Sequence, residues 1–264
     1  MWQTRTGPPA LHGKNIIITG AASGIGYYLV RQLLADGHRV TVLDLEPERL
    51  NDLPQDHDTL LPLACDVRDR DRVAVCVRES TERFGGVDYA IHNACRCTFD
   101  SFADTDEGTY RDVLDVNYFG ALHLARSVLP QMIQQHHGRV IFTSSMVGVM
   151  GFTSISPYAS SKGAIESLAK CLAIEYRPAG ISFHLFHPPL TRTASAAPLP
   201  VPTQFMADPE TVGTGLAKHL DDRSFVICHS AAQKWQIAMC YAFPLRMGRL
   251  MSRMTARYAA QQAG

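Results

Sequence analysis

Short apolar runs alternate along this chain with longer stretches of helical periodicity. The first run, Asn15-Ile16-Ile17-Ile18-Thr19, is apolar at successive positions, the pattern of a parallel strand buried on both faces. Helical spacing follows from Gly26 to Asp36 and stops at Gly37, a residue type that closes helices. Further strands are expected at Arg39–Asp44, Leu60–Ala64, Val87–His92, Gly138–Ser144, Ile181–His187 and Ser224–Cys228. Helical patterns lie between them, at about 69–84, 106–136, 157–178 and 208–221. Strands that alternate with helices imply right-handed crossovers and a sheet covered on both faces. The first 190 residues contain no linker rich in Gly, Ser or Pro and no internal repeat. The expected fold class is therefore α/β, one doubly wound domain over residues 1–264 with a parallel seven-stranded sheet.

Composition narrows the options. With 264 residues, 46% hydrophobic and 19% charged, the chain matches an ordinary globular protein. A formal net charge of zero gives no reason to expect a nucleic-acid partner. No apolar run approaches the ~20 residues that span a bilayer. The start, Met1-Trp2-Gln3-Thr4-Arg5, lacks the apolar core of a secretory signal. Seven scattered cysteines predict reduced thiols and a cytoplasmic location. Cys95-Arg96-Cys97 has neither redox nor zinc spacing, so no metal site is expected.

Two stretches carry candidate chemistry. Gly20, Ser23, Gly24, Ile25 and Gly26 sit between the first strand and its helix. There, backbone N–H groups and the positive helix end can cradle a pyrophosphate. Asp44 closes the second strand, where a carboxylate accepts from a ribose 2′-hydroxyl and repels a 2′-phosphate. Ser23 and Leu45 offer that phosphate no positive charge, so the expected cofactor is NAD, with NADP disfavoured. The second stretch is Tyr158-Ala159-Ser160-Ser161-Lys162, in which Tyr158 and Lys162 share one helical face. A unit charge about 4 Å from a phenol is worth roughly 4 kcal/mol at an effective dielectric of ~20. Such a charge could depress the phenol pKa by up to about three units.

Taken together, these residues resemble the short-chain dehydrogenase/reductase family over roughly residues 12 to 193. Thr19 to Gly26 is similar to its TGxxxGxG turn, and Tyr158 with Lys162 to its YxxxK pair. The resemblance implies a Rossmann fold and a tetrad of Asn117, Ser145, Tyr158 and Lys162. Tyr158 would exchange the proton, Lys162 would lower its pKa and hold the nicotinamide ribose, and Ser145 would bind the substrate oxygen. Asn117 would seat a water beside Lys162. Ser144, Ser160 and Ser161 are expected at a strand end and on a helix surface. The cofactor set extends to Asp66, Val67, Asn93, Ala94, Pro188, Thr191 and Thr193. Two positions depart from the family: Cys95 replaces its NAG glycine, and Pro189 the glycine of its Pro-Gly pair. A cysteine would be strained if that site required positive φ.

The uncharged segment Ala194–Ala207 matches the family's mobile lid, with lid and helix together expected over 194–222, or else a solvent loop stiffened by Pro198, Pro200 and Pro202. Six cations and no acid follow Asp222, leaving residues 1–222 a net charge of minus six. Pro244 is expected to start a helix within a basic extension over 230–264, with Met247, Leu250, Met251, Met254 and Tyr258 in one apolar stripe. That stripe suits a helix docked on the protein's own core or a second subunit, or a peripheral contact with an anionic membrane. Similar tails occur in lipid-handling reductases of the family, such as those acting on ketosphinganine. The leading expectation is an NAD-dependent oxidoreductase interconverting an apolar, lipid- or steroid-like secondary alcohol and its ketone, assembled as a homodimer or homotetramer. A membrane-surface ketoreductase using NADPH, and a non-catalytic dinucleotide-binding scaffold, are the alternatives.

Overall fold

The computed structural model describes residues 13–53, 58–197 and 199–262. Met1–Arg5 and Pro198, which carried expectations above, lie outside them. Strands β1 (Asn15–Thr19), β2 (Arg39–Asp44), β3 (Leu60–Ala64), β4 (Tyr89–His92), β5 (Gly138–Thr143), β6 (Ile181–Phe186) and β7 (Val226–Ile227) form one sheet. All its pairings are parallel and the order is β3-β2-β1-β4-β5-β6-β7. From β1 the chain winds outward to β3, then returns to place β4 on the other side of β1. That reversal opens a crevice at the C-terminal strand ends, where ligands bind in doubly wound folds.

Successive side chains of each strand serve opposite layers. Ile16, Ile18, Val40, Val42 and Ile91 join a core with α1 (Gly24–Ala35) and α7 (Pro209–Lys218). Ile17, Leu43, Ala90, Val140 and Phe142 face the other way, toward α2 (Arg70–Phe84), α4 (Gly120–Gln135) and α6 (Ser156–Glu175). A third cluster gathers Met146, Val147 and Met150 around α5 (Val147–Met150) with Ile237 and Cys240 of α8 (Ala231–Ala242).

β7 shortens from the expected Ser224–Cys228 to Val226–Ile227, and three other expected elements change on folding. The helix expected over 106–136 is α3 (Glu107–Leu114), a π turn at Asp115–Phe119, then α4. Asp106 caps α3 by accepting from Thr109 N at 2.7 Å. β4 starts at Tyr89; Asp88, just before it, accepts at its carboxylate from Asn15 N. Only part of the expected apolar stripe of α9 (Pro244–Gln262) reaches its docking face, where Met247 and Met251 pack against the third cluster. Gly248 and Thr255 are buried, whereas Leu250 and Met254 are 52% and 45% exposed. No helix among the described residues is long and apolar enough to cross a membrane.

Candidate active site

A cavity of about 570 Å³ runs along the C-terminal strand ends, from the glycine turn to Met251 on α9. At its first end Gly20 leaves β1 with φ +63, and a Cβ there would lie 2.3 Å from Ala94 Cα. Glycine therefore lets β1 meet the loop after β4. Gly24, with φ +57, opens α1 where Thr193 Cγ2 would come within 3.1 Å of a Cβ. Ser23 makes no capping bond, so the first-turn N–H groups of α1 have no side-chain acceptor from their N-cap. Asp44 Oδ2 accepts from Ala22 N at 2.9 Å and sits at the cavity edge. An uncapped helix start beside a glycine cradle, with a carboxylate one strand away, fits a dinucleotide.

Asp66 and Val67 line the same end, as does Arg68, which the motif did not reveal. Arg68 Nη2 grips Asp66 Oδ2 at 2.6 Å and holds that carboxyl below its ordinary range. The adjacency of acid and base two positions apart was the available signal. Asn93 Nδ2 donates to Gly20 O at 2.7 Å, joining the loop after β4 to the turn. Thr19 Oγ1 accepts from Asn93 N and Ala94 N, each at 3.2 Å, which directs its own proton to His92 Nδ1 at 2.9 Å. His92 is consequently neutral with its proton on Nε2, and burial pushes its pKa down to about 3.

Asn117 lies in the π turn, wholly buried. Its Oδ1 accepts from Arg96 N at 2.8 Å, and its Nδ2 donates to Arg96 O at 3.0 Å and to Ser161 Oγ at 2.8 Å. The side chain thus ties the loop after β4 to α6. Lys162 is 1% exposed; its Nζ donates to Thr143 O at 2.7 Å and lies 5.5 Å from the centre of the Tyr158 ring. The Tyr158 hydroxyl faces Ser145 and Cys95 across the cavity. Pro188, Pro189, Thr191 and Thr193 complete the wall opposite, with Thr191 Oγ1 donating to Pro189 O at 2.8 Å.

Electrostatics at the phenol run opposite to expectation. Burial pushes Tyr158 well above its ordinary value, and the sulfurs of Cys95 and Cys97 push the same way. The Ser145 hydrogen bond is the opposing influence. Lys162 is not among the leading influences on the phenol; its ammonium donates to Thr143 O and lies 5.5 Å from the ring centre. Cys95 itself is unstrained, since His136 and Ser154 are the positive-φ non-glycine residues among those described.

Two serines expected at a strand end or on a helix surface are structural. Ser161 is fully buried and donates to Tyr158 O at 2.8 Å, while only Ser160 is exposed. Ser144, 1% exposed, donates to Glu166 Oε1 at 2.7 Å. His187 Nε2 lies 2.7 Å from the same oxygen, and Tyr241 of α8 donates to Oε2. Burial works to raise the Glu166 carboxyl, but the adjacent His187 ring and the hydrogen bonds from Tyr241 and Ser144 outweigh it and hold the group ionised. These four residues clamp β5, α6, the loop after β6 and α8 behind the reacting end. No sequence pattern announces the clamp, because its members are far apart in the chain.

The family profile described as short chain dehydrogenase matches residues 14–201. Oxidoreductase UcpA of Escherichia coli strain K12 is 33% identical over 217 residues, covering 81% of this chain and 82% of that protein. The 3-ketodihydrosphingosine reductase of Bos taurus is 28% identical over 199 residues, covering 72% of this chain and 60% of its own length. A solved short-chain dehydrogenase from Streptomyces avermitilis superposes with a TM-score of 0.78 at 26% identity, covering 95% of this chain and 98% of that one.

Proposed function

Because the chain belongs to the short-chain dehydrogenase family of oxidoreductases acting on CH–OH and ketone groups, we propose that it interconverts an apolar secondary alcohol and its ketone with NAD as cofactor. The observation that carries this reading is one cavity with two unlike ends. A glycine turn, Asp44 and Asp66 border one end, Met150, Phe152, Leu199 and Met251 the other, and Tyr158 with Ser145 stands between. Asp44 favours NAD, because a 2′-phosphate would meet its carboxylate, and Arg68 is already paired with Asp66. Nicotinamide, when bound, supplies the acceptor or donor of hydride.

This chain's residues manage the proton and the oxygen. Ser145 donates to the substrate oxygen and stabilises the charge that develops there. Tyr158 takes the alcohol proton during oxidation and returns it during reduction. A phenol held above its ordinary pKa is protonated at neutral pH, which suits it to donate. Lys162 and Thr143 hold the floor of the site, and Asn117 braces the loop that presents Cys95. The single-domain organisation belongs to the same reading, as does assembly through α4 and α6. Ile133 and Ile174 on those helices are 41% and 78% exposed, which supports a second copy there.

A panel of secondary alcohols and ketones, assayed with NAD and with NADP by the absorbance of reduced nicotinamide, tests the proposal. Turnover of apolar substrates with a clear preference for NAD is expected. Cofactor binding without turnover across the panel would support a scaffold instead.

A further inference from the structure

Behind the reacting end lies a second cavity, of about 250 Å³, between α9, α8 and the loop over 199–207. Both cavities are lined by Met146, Met150, Pro189, Leu190, Val201 and Met251, so those side chains form a shared wall. The far side is Phe205, Cys240, Met247, Leu250 and Met254, and no charged residue lines it. Three of the six wall residues are methionines, whose unbranched thioether side chains adapt to irregular shapes.

The docking of α9 explains why its methionine edge is available. A Cβ on Gly248 would lie 2.4 Å from Gly151 O, so the helix rests directly on the backbone after α5. Ser252 Oγ accepts from Thr153 N at 3.1 Å and from Thr153 Oγ1 at 2.8 Å. Small and polar residues thus fix the helix, together with the inner edges of Met247 and Met251. Met247 and Met251 also line the cavity, and Leu250 and Met254 its partly exposed rim.

We infer that the rear cavity is a subsite for an unbranched alkyl chain, making the substrate a long-chain secondary alcohol or ketone that reacts near one end. A fused-ring substrate would use the front cavity alone, whereas a flexible chain can pass between methionine side chains into the rear one. The assignment rests on the oxidoreductase reading above.

The test uses the full chain with NAD and straight-chain alcohols bearing the hydroxyl on the second carbon, from butanol to tetradecanol. Burial of each added methylene is expected to raise kcat/KM about fourfold until the rear cavity is filled. In Met247→Trp the ratio of dodecanol to butanol kcat/KM should fall at least tenfold, on the order of a methylene or two of burial. Butanol turnover with no gain on lengthening, in wild type, would overturn the subsite and leave the oxidoreductase reading standing. If no alcohol is turned over, dansyl-aminoundecanol binding decides by fluorescence. Tight binding that Met247→Trp weakens at least tenfold upholds the subsite, and failure of wild type to bind the probe overturns it. Met254→Trp, on the exposed rim, serves should Met247→Trp fail to fold, with the same two readings.

Discussion

The two ends of the cavity are built by different means. At the glycine turn, specificity comes from backbone: Gly20 and Gly24 hold positive φ, and their missing side chains set how closely Ala94 and Thr193 approach. At the far end it comes from side chains of three separate segments, α5, the loop over 190–201 and α9, meeting around methionines. Backbone contacts have no slack, because a Cβ cannot rotate away. A methionine wall has slack in every torsion. One end should therefore be intolerant of a single added carbon and the other tolerant of several removed.

Gly20→Val probes the first half of that contrast most severely. Its Cβ would sit 2.3 Å from Ala94 Cα at φ +63, so loss of NAD binding by more than about a hundredfold is expected, in line with strain of several kcal/mol. Titration of NAD by intrinsic fluorescence measures it, and near-normal affinity would refute the backbone account. An intermediate effect is expected between the ends, at Cys95. Burial is the larger influence on Tyr158, but the Cys95 sulfur also raises it. Alcohol oxidation needs the phenolate, so its rate rises with pH toward that raised pKa. Cys95→Ala lowers the phenol pKa and should move the rising limb to lower pH, and the falling limb of ketone reduction with it. Unmoved pH–rate profiles would remove Cys95 from the proton chemistry. The smallest effect belongs to the methionine wall: Met251→Ala should change KM for a short alcohol by about two- to fivefold, equivalent to a methylene or less of contact. A change in kcat by more than tenfold would mean that the wall positions the reacting carbon.

The same contrast governs what could be read from the chain. Thr19–Gly26, Asp44 and the Tyr158/Lys162 pair are local patterns, so their spacing alone placed them at strand ends and on one helix face. Sheet composition was equally legible, because buried parallel strands are continuous apolar runs. The clamp of Ser144, Glu166, His187 and Tyr241 was not, since it depends on four elements meeting. For the same reason Ser161 read as a helix-surface residue although it is buried, whereas Ser144 does stand at the end of β5. The π turn at Asp115–Phe119 also escaped: one additional residue in a helical turn leaves hydrophobic periodicity nearly intact. On α9 periodicity was right for Met247 and Met251, which pack on the third cluster, and wrong for Leu250 and Met254, which stay exposed while Gly248, Ser252 and Thr255 share the docking. The upward shift of the phenol came first from its burial and then from the neighbouring sulfurs, neither of which the Tyr158/Lys162 spacing specifies.

The account as a whole turns on Tyr158 as the group that exchanges the substrate proton. Single-turnover oxidation of a secondary alcohol by Tyr158→Phe, with NAD affinity measured alongside, tests it most directly. The phenyl ring keeps the shape and loses only the hydroxyl that faces Ser145 and Cys95. NAD affinity within about threefold of wild type, and hydride transfer slower by about a hundred- to ten-thousandfold, is the predicted result. Transfer within tenfold of the wild-type rate, at unchanged NAD affinity, would contradict it.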